Sequence, residues 1–408
     1  MKTFSKSFTQ QESIPQAAID QAVTILKSGR LHRYNVAEGE TSETSLLEQE
    51  YAAYQGAKYC LACASGGYAM HIALRAFGLQ QGDKVLTNAF TLSPVPGAIH
   101  NAGGKPVLVE TTEDLVADLT DLERKIKQSS ARVMLLSHMR GHIVDMDALC
   151  ALLDKHNVAL IEDCAHTMGA SWNGHKSGNF GVAACFSTQT YKHINSGEGG
   201  FITTDDKELI ARAIIHSGSY MLYDRHDAAP GAEFFDQIRL ENPNYSGRMD
   251  NLRAAILRPQ LNVLDDNCRR WNERYQTIES VLAATTGLRV IQRYEKEYYV
   301  GSSIQFLVND IGNAEIPALV NKCLERGVEI KWFGTTQPTG YTSRHDSWRY
   351  VEPQSLPVSD RILSMLCDLR IPLTFTVEDC RLIGEIISEC ATELHELGDS
   401  SAAIAQAS

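Results

Sequence analysis

The residues best able to do chemistry in this sequence follow two strand-like apolar runs. The first run, residues 158–161, ends on the carboxylates Glu162 and Asp163. The second run, residues 184–187, leads into a loop that contains Lys192. In open α/β sheets, ligands bind beyond the carboxyl ends of the strands. The order of these residues therefore predicts an acid and a lysine in one crevice.

A lysine and a carboxylate in one crevice suit the cofactor pyridoxal phosphate. Lys192 would form a Schiff base with it, and Asp163 would keep its pyridine nitrogen protonated. An opposite charge within about 4–6 Å favours the charged ring nitrogen, and each pKa unit is worth about 1.4 kcal/mol. A protonated ring withdraws electrons from the substrate carbanion. Taken singly, Asp163 would be a strand-end cap and Lys192 a solvated residue, so the prediction depends on their combination.

A strand-to-helix turn earlier in the chain is a candidate phosphate site. Residues 58–64 are strand-like, Ser65, Gly66 and Gly67 form the turn, and a helix is predicted from Tyr68 onward. Small residues at such a turn let the backbone approach an anion, and the helix start carries about +0.5 charge. We expect the cofactor phosphate here, with an ordinary turn as the alternative.

The segments around these residues alternate between strands and helices. Predicted strands at 84–88, 106–110 and 133–137 are separated by predicted helices at 93–103, 119–127 and 146–156. Such alternation predicts an α/β fold with a mainly parallel sheet that is covered on both faces. A long helix from Met249, bent by Pro259, leads to further strands and helices. The predicted division is a large domain over 1–255, a smaller α/β domain over 256–396 and a disordered tail over 397–408.

Six motifs follow one another in a fixed order. They are GLQQGDKVLTNAFT, AGGKPVLVE, DCAHTMGA, CFST, YKHINSGEGG and NYSGRMDNLRAA. Together they resemble the DegT/DnrJ/EryC1/StrS family of sugar aminotransferases. The resemblance implies the aspartate-aminotransferase-like fold of type I pyridoxal-phosphate enzymes. It also implies amino transfer from L-glutamate or L-glutamine to a keto or aldehyde sugar, a sugar acid or a cyclitol.

The resemblance implies further cofactor contacts, and the sequence departs from the family pattern at three of them. His166 stands where the family has Gln or His against the cofactor ring; a half-buried, hydrogen-bonded histidine is the alternative. Gly67 replaces a common Thr, Leu92 replaces a ring-stacking aromatic residue, and Ser246 replaces an Asn that touches the partner's phosphate. Leu92 covers the ring by dispersion without the stacking geometry. The remaining predicted cofactor contacts are Tyr68, Ser187 and Gln189.

The predicted substrate contacts are Arg33, Tyr34 and Trp332. In the family, the loop after the first helix approaches the neighbouring subunit's active site, which favours Arg33 and Tyr34. An Arg stacked on a Tyr at the surface is the alternative. Trp332 begins an unusual segment, WFGTTQPTGY, and the loop 218–247 is long and rich in aromatic residues. This loop predicts a homodimer with shared active sites, with packing on its own subunit as the alternative.

Two other functions stay open. Dehydratases of the same family replace the lysine with His, so Lys192 argues against that activity although His193 is adjacent. A non-catalytic regulator on this fold would be expected to have lost Lys192 or Asp163. His138 and His142 lack a nearby acidic or cysteine ligand set, and we predict no metal site.

Composition limits the partners and the compartment. The chain has 408 residues with 43% apolar content, enough for a large core and two or three domains. Its formal charge of -12 repels nucleic acid and anionic membranes at long range. No window approaches the roughly 20 apolar residues of a membrane span, and the N-terminus lacks the apolar core of a signal peptide. Scattered cysteines are typical of reduced thiols, so the sequence predicts a cytoplasmic protein.

Overall fold

The structure is a computed structural model, and it describes residues 1–309, 315–335 and 344–406; for Gln237 and residues 395–406 it describes the backbone alone. The helices are α1 Gln16–Ser28, α2 Glu43–Gln55, α3 Gly66–Phe77, α4 Pro94–Asn101, α5 Leu119–Ser129, α6 Met146–Lys155, α7 Lys207–Ser217, α8 Asn251–Leu261, α9 Leu264–Ala283, α10 Ile316–Glu325, α11 Pro357–Met365 and α12 Val377–Gln406. The strands are β1 Tyr59–Cys63, β2 Lys84–Asn88, β3 Lys105–Val109, β4 Val133–Ser137, β5 Ala159–Asp163, β6 Ser171–Trp172, β7 His175–Lys176, β8 Ala183–Ser187, β9 Gly200–Thr204, β10 Leu288–Val290, β11 Glu297–Tyr298, β12 Ser303–Val308, β13 Lys331–Trp332 and β14 Leu366–Arg370.

A seven-stranded sheet forms the centre of the fold, in the order β1-β9-β8-β5-β4-β2-β3. Strands β3, β2, β4, β5 and β8 are parallel neighbours, and β9 runs antiparallel to both β8 and β1. The predicted mainly parallel α/β sheet is thereby confirmed. The carboxyl ends of β4, β5 and β8 lie at the same edge of this sheet.

Helices cover both faces of the sheet because successive strand residues point to opposite sides. On β5, for example, Leu160 packs in one core and Ile161 in the other. Apolar residues of α2, α5, α6 and α8 belong to the first core, and those of α3, α4 and α7 belong to the second. The sheet is therefore buried on both sides, as parallel sheets usually are.

A second sheet, in the order β10-β12-β14-β13, supports the C-terminal part of the chain. Its core includes side chains of α9, α10 and α12, and also Phe4 and Phe8 from the N-terminus. The rings of Phe4 and Phe8 each lie 5.0 Å from the ring of Phe375. An ion pair between Lys6 and Asp379 fastens the same segment. The first residues of the chain thus pack with the C-terminal core, whereas the sequence prediction groups them with the large domain.

The helices after Met249 differ from the single bent helix that the sequence predicts. Pro259 lies inside α8, which ends at Leu261, and α9 begins at Leu264. The predicted domain boundary after residue 255 falls inside α8, and the division itself stays a prediction. Where the sequence predicts disorder from residue 397, the backbone of α12 is helical to Gln406, in a stretch rich in the strong helix former Ala. Within the described ranges, no helix combines the length and the apolar character that a membrane span requires.

Candidate active site

A cavity of about 340 Å³ opens beyond the carboxyl ends of β4, β5 and β8. Its walls come from the large sheet, from the start of α3, from the end of β14 and from the N-terminal segment. The predicted cofactor residues that line it are Ser65, Gly66, Gly67, Leu92, Asp163, His166, Ser187, Gln189 and Lys192. The tertiary structure therefore collects residues from widely separated motifs around one space.

Lys192 lies in the loop between β8 and β9 and points into the cavity. Its Nζ lies 3.1 Å from Nε2 of His166. Burial lowers the pKa of Lys192 to about 7, while Asp163 opposes the shift and the charges of Arg140 and Arg370 add to it. Burial, together with the charge of Lys192, also holds the pKa of His166 well below its usual range. At neutral pH, a large share of Lys192 is the uncharged amine, which is the nucleophilic form.

Asp163 ends β5, and its carboxylate faces the cavity. Ser137 Oγ donates to Oδ2 at 2.8 Å, and the backbone N–H of Ala165 donates to Oδ1 at 3.1 Å. Burial raises the pKa of Asp163, and these hydrogen bonds and the positive charge of Lys192 act in the opposite direction. A cationic ring nitrogen placed against this carboxylate would favour its ionised form further.

Glu162 precedes Asp163 and points to the opposite face of the strand. Its Oε1 accepts from the backbone N–H groups of Phe180 and Gly181 at 2.8 and 3.0 Å. Its Oε2 accepts from Gly178 at 3.0 Å and lies 3.1 Å from Nε2 of His138. His138, Glu162 and Cys164 place possible metal-ligand atoms within 4.8 Å of one another. The expectation that no acidic or cysteine side chain lies near His138 is therefore wrong, because the fold brings Glu162 and Cys164 beside it; three backbone N–H groups already donate to the Glu162 carboxylate.

The turn at the start of α3 forms an anion cradle. Ser65 is the N-cap residue, and its Oγ accepts from the backbone N–H of Tyr68 at 3.1 Å. A Cβ at Gly66 would lie 2.8 Å from Cβ of Ser187, so this position requires glycine. The first N–H groups of a helix lack partners within the helix and face toward an anion. The cradle, the acid and the lysine fit pyridoxal phosphate.

Tyr68, a predicted cofactor contact, lies outside the cavity wall, and its backbone N–H already donates to Ser65 Oγ. Its side chain does not line the cavity, and its hydroxyl donates to the carbonyl of His216 at 3.3 Å. Sequence reasoning missed further polar residues of the cavity wall, among them Thr91, Ser137, Arg140, Glu198 and Arg370. Thr91 ends a quoted motif and Ser137 ends a predicted strand, so position along the chain could have indicated both.

The predicted substrate contacts lie outside the cavity of their own chain. Arg33 is 1% exposed and forms a two-pronged ion pair with Glu48, at 2.8 and 2.9 Å. It is therefore neither at the surface nor in the cavity. The hydroxyl of Tyr34 lies 2.7 Å from Nε2 of His226. Trp332 donates to the carbonyl of Ser364 at 2.8 Å, and residues 336–341 of its segment lie outside the described residues.

The long loop 218–247 divides its aromatic residues between the interior and the surface. Tyr223 and Phe235 stack with ring centroids 4.1 Å apart and belong to a buried core of their own chain. Tyr220 is 58% exposed and lies under the guanidinium of Arg248. Ser246 also lies outside the cavity, with its backbone at φ 56° and its Oγ accepting from Arg248 at 3.0 Å. The loop is partly packed inward and partly available to a partner.

The profile of the DegT/DnrJ/EryC1/StrS aminotransferase family matches residues 14–388. The chain belongs to this family and has its pyridoxal-phosphate-dependent transferase fold of type I. It is a pyridoxal-phosphate-dependent aminotransferase, as the resemblance implies.

Two named proteins and one crystal structure are similar to this chain. GDP-perosamine synthase of Caulobacter vibrioides is 35% identical over 222 residues, which are 54% of this chain and 57% of that protein. L-glutamine:2-deoxy-scyllo-inosose aminotransferase of Streptoalloteichus tenebrarius is 31% identical over 276 residues, 67% of this chain and 64% of that protein. The alignments thus span less than two thirds of each relative. The crystal structure of AtS13 from Actinomadura melliaura matches with a TM-score of 0.79 and 26% identity, over 95% of this chain and 99% of that one.

Proposed function

We propose that this aminotransferase moves an amino group from L-glutamate or L-glutamine to a keto or aldehyde sugar, a sugar acid or a cyclitol. The observation that carries the proposal is the cavity in which Lys192, Asp163 and the anion cradle of α3 converge. The names of the two relatives support the substrate class. One name is GDP-perosamine synthase, and the other names L-glutamine and 2-deoxy-scyllo-inosose.

Each part of the cavity wall has a proposed role toward the cofactor. Ser65, Gly66 and Gly67 would hold the phosphate, and Asp163 would face the ring nitrogen. His166 and Leu92 would cover the ring, with Ser187 and Gln189 beside them as further contacts. When bound, pyridoxal phosphate supplies an electron sink for the substrate carbanion.

Lys192 is the proposed attachment point of the cofactor and the residue that moves the proton. A lysine with a pKa of about 7 is present in both protonation states near neutral pH. Its Nζ can therefore take a proton from one substrate carbon and return it to another site within reach. His166, 3.1 Å from that nitrogen, orients the amine. Lys192 and His166 are both half-buried in the wall of the cavity, so a substrate bound there would displace water from both groups.

The position of His193 favours an aminotransferase over a dehydratase. His193 is buried beside Trp271, with its Nε2 3.3 Å from Oγ of Ser302, and it does not line the cavity. It could not replace Lys192 without a rearrangement of the loop. The catalytic nitrogen that reaches the cavity is that of Lys192.

A homodimer with shared active sites belongs to the same proposal. Tyr220, Met221 and Leu240 on the long loop are 58%, 52% and 86% exposed. A two-fold interface would bury this apolar surface twice with the same residues. In that arrangement, Ser246, Arg33 and Tyr34 would belong to or support the surface that meets the partner.

The test combines covalent labelling with a substrate panel. Borohydride reduction of the purified enzyme followed by peptide mass spectrometry should place the cofactor on Lys192, and Lys192→Ala should remove the label without unfolding the protein. Amine-loaded enzyme is then mixed with keto-sugars, keto-sugar acids and keto-cyclitols, and the return of the lysine-bound cofactor's absorbance is followed. Labelling of another lysine would overturn the site, and silence across the whole panel would overturn the acceptor class.

A further inference from the structure

The last residues of three neighbouring strands lie together at one edge of the large sheet. Asn88 ends β2, Ser137 ends β4 and Asp163 ends β5, and these strands are adjacent in the sheet. Ser137 is the register partner of Asp163 in the parallel pair β4–β5, so the two side chains leave the sheet on the same face. Ser137 also lines the cavity. The sheet therefore places a hydroxyl directly beside the acid of the active site.

The hydroxyl of Ser137 and one backbone N–H group hold the carboxylate of Asp163. Ser137 Oγ donates to Oδ2 of Asp163 at 2.8 Å. The N–H of Ala165 donates to Oδ1 at 3.1 Å, so both carboxylate oxygens accept a hydrogen bond from the protein. An ionised carboxylate has about four acceptor positions, which is more than these two bonds use. The two donors therefore fix the plane of the carboxylate and leave it able to accept from a ring nitrogen.

Asn88 fixes the position of Ser137 by bonding to its backbone on both sides. Oδ1 of Asn88 accepts from the N–H of Ser137 at 2.9 Å, and Nδ2 donates to the carbonyl of Ser137 at 3.0 Å. Nδ2 also donates to the carbonyl of Phe90 at 2.8 Å. Asn88 is buried, and a buried amide with three such bonds is costly to displace because its partners would be left unsatisfied. These bonds keep the end of β4, and with it the Ser137 hydroxyl, against Asp163.

Asp163 needs a donor of this kind because burial opposes its charge. Burial raises the pKa of Asp163, and among the groups that oppose this shift the Ser137 hydroxyl has the largest effect. The charges of Lys192 and His138 act in the same direction as the hydroxyl. Cys185, the register partner of Asp163 on β8, stays a neutral thiol, since burial raises its pKa well above the usual value. The ionised form of Asp163 thus depends strongly on one neutral hydroxyl.

A proton shared between a ring nitrogen and a carboxylate goes to the stronger base. A buried carboxylate without hydrogen-bond donors is a strong base, and in its protonated form it would leave a pyridine nitrogen neutral. A donor to the carboxylate lowers its basicity and so keeps the proton on the ring. A neutral ring is a poorer electron sink than a cationic one. The hydroxyl of Ser137 therefore bears on the reaction through Asp163.

We propose that Ser137, fixed by Asn88, is a positioning residue that keeps the ring nitrogen of the cofactor protonated through Asp163. The inference rests on the proposed function in one respect, which is the placement of the ring nitrogen against Asp163. The competing account is that the hydroxyl only satisfies a buried carboxylate, as the hydroxyl of Ser359 does for Glu110 at 2.5 Å. A purely structural hydroxyl would affect stability alone, whereas the proposed one also affects the protonation of the ring.

Solid-state nitrogen NMR of the holoenzyme measures this protonation. The enzyme is loaded with pyridoxal phosphate that is isotopically labelled at the ring nitrogen, whose chemical shift averages over the two proton positions. Ser137→Ala should move the shift from its wild-type value toward that of a neutral pyridine. Loss of one hydrogen bond to a charged group changes the equilibrium between the two proton positions by about 10- to 100-fold. Ser137→Thr, which keeps the hydroxyl, should return the shift toward the wild-type value.

Ser359→Ala is the matched control, because it removes a buried hydroxyl from a buried carboxylate that does not line the cavity. It should lower the melting temperature and leave the ring-nitrogen shift at the wild-type value. Ser137→Cys keeps a weak donor of similar size and replaces the alanine variant if that variant does not fold. A wild-type shift in the folded Ser137 variant overturns the proposal. A change that Ser359→Ala reproduces, or that Ser137→Thr does not reverse, also overturns it.

Asp163→Asn separates failure of this inference from failure of the proposed function. It should move the ring-nitrogen shift further toward the neutral value than Ser137→Ala does. A moved shift in Asp163→Asn together with an unmoved one in Ser137→Ala overturns the inference alone. A wild-type shift in Asp163→Asn overturns the proposed placement of the cofactor and the inference with it. Because no substrate is present, the result does not depend on which acceptor the enzyme uses.

Discussion

Replacement of Lys192 by methionine should stabilise the cofactor-free protein. In the folded state, burial lowers the pKa of Lys192 from 10.5 to about 7. The charged amine is therefore disfavoured in the fold by about 3.5 pKa units, which correspond to about 5 kcal/mol. Methionine has a similar length and no charge. Subtraction of about 1 kcal/mol for the lost hydrogen bond to His166 leaves a gain of about 4 kcal/mol at pH 6.

The gain should shrink as the pH rises. Between pH 7 and pH 10.5 the unfolded chain keeps the proton that the folded Lys192 has released, so the wild-type free energy of unfolding increases with pH. At pH 9.5 the remaining penalty is about 1.4 kcal/mol, and the net gain of the variant falls to about 0.5 kcal/mol. Well above pH 10.5 both states are neutral and the charge penalty vanishes, so only the loss of about 1 kcal/mol from the missing hydrogen bond remains. The pH dependence falls between pH 7 and pH 10.5 because the pKa of Lys192 is lower in the folded state than in the unfolded state.

Urea denaturation of the apoprotein at pH 6 and pH 9.5 measures this difference. Lys58→Met is the matched control, because Lys58 is exposed and its charge costs little in the fold. The control should change the free energy of unfolding by less than about 0.5 kcal/mol at either pH. A variant of Lys192 that is less stable than wild type at both pH values, or a gain that does not depend on pH, would refute the reasoning.

Three further expectations address other parts of the site. Asp163→Asn should retain the cofactor but slow the half-reaction by several orders of magnitude, because a neutral ring nitrogen is a poorer electron sink; near-normal single-turnover rates would leave Asp163 as a strand-end cap. Phe8→Ala should lower the free energy of unfolding by about 3–5 kcal/mol, since the ring is 3% exposed in the C-terminal core, and a loss below about 1 kcal/mol in urea titrations would show that the N-terminal segment is only loosely attached. Lys192→Ala chains mixed with chains shortened in the loop 219–245 should recover up to about a quarter of wild-type activity, because half of the dimers are mixed and each holds one intact site; no recovery despite subunit exchange would mean that each chain builds its own site.

Local order along the chain was enough to predict the large sheet and the central pair of residues. Strands and helices alternate with clear periods, and parallel strands place their carboxyl ends at one edge, so Asp163 and the loop of Lys192 had to approach each other. The turn from Ser65 to Gly67 was predictable in the same way, because small residues and an N-cap mark a helix start within a few positions. The family motifs added the identity of the cofactor and the class of reaction.

Local sequence patterns could not predict contacts between segments that are far apart along the chain. Phe8 and Arg370 reach the cavity from opposite ends of the chain, and no local pattern records that the N-terminus packs on the C-terminal sheet. Arg33 looked like a loop residue, yet the carboxylate of Glu48 draws it into the interior, where an unpaired charge would be costly. The sequence determined which elements form and which residues end them; the tertiary structure decided which of those residues share a space, because side-chain burial and pairing depend on segments that are remote along the chain.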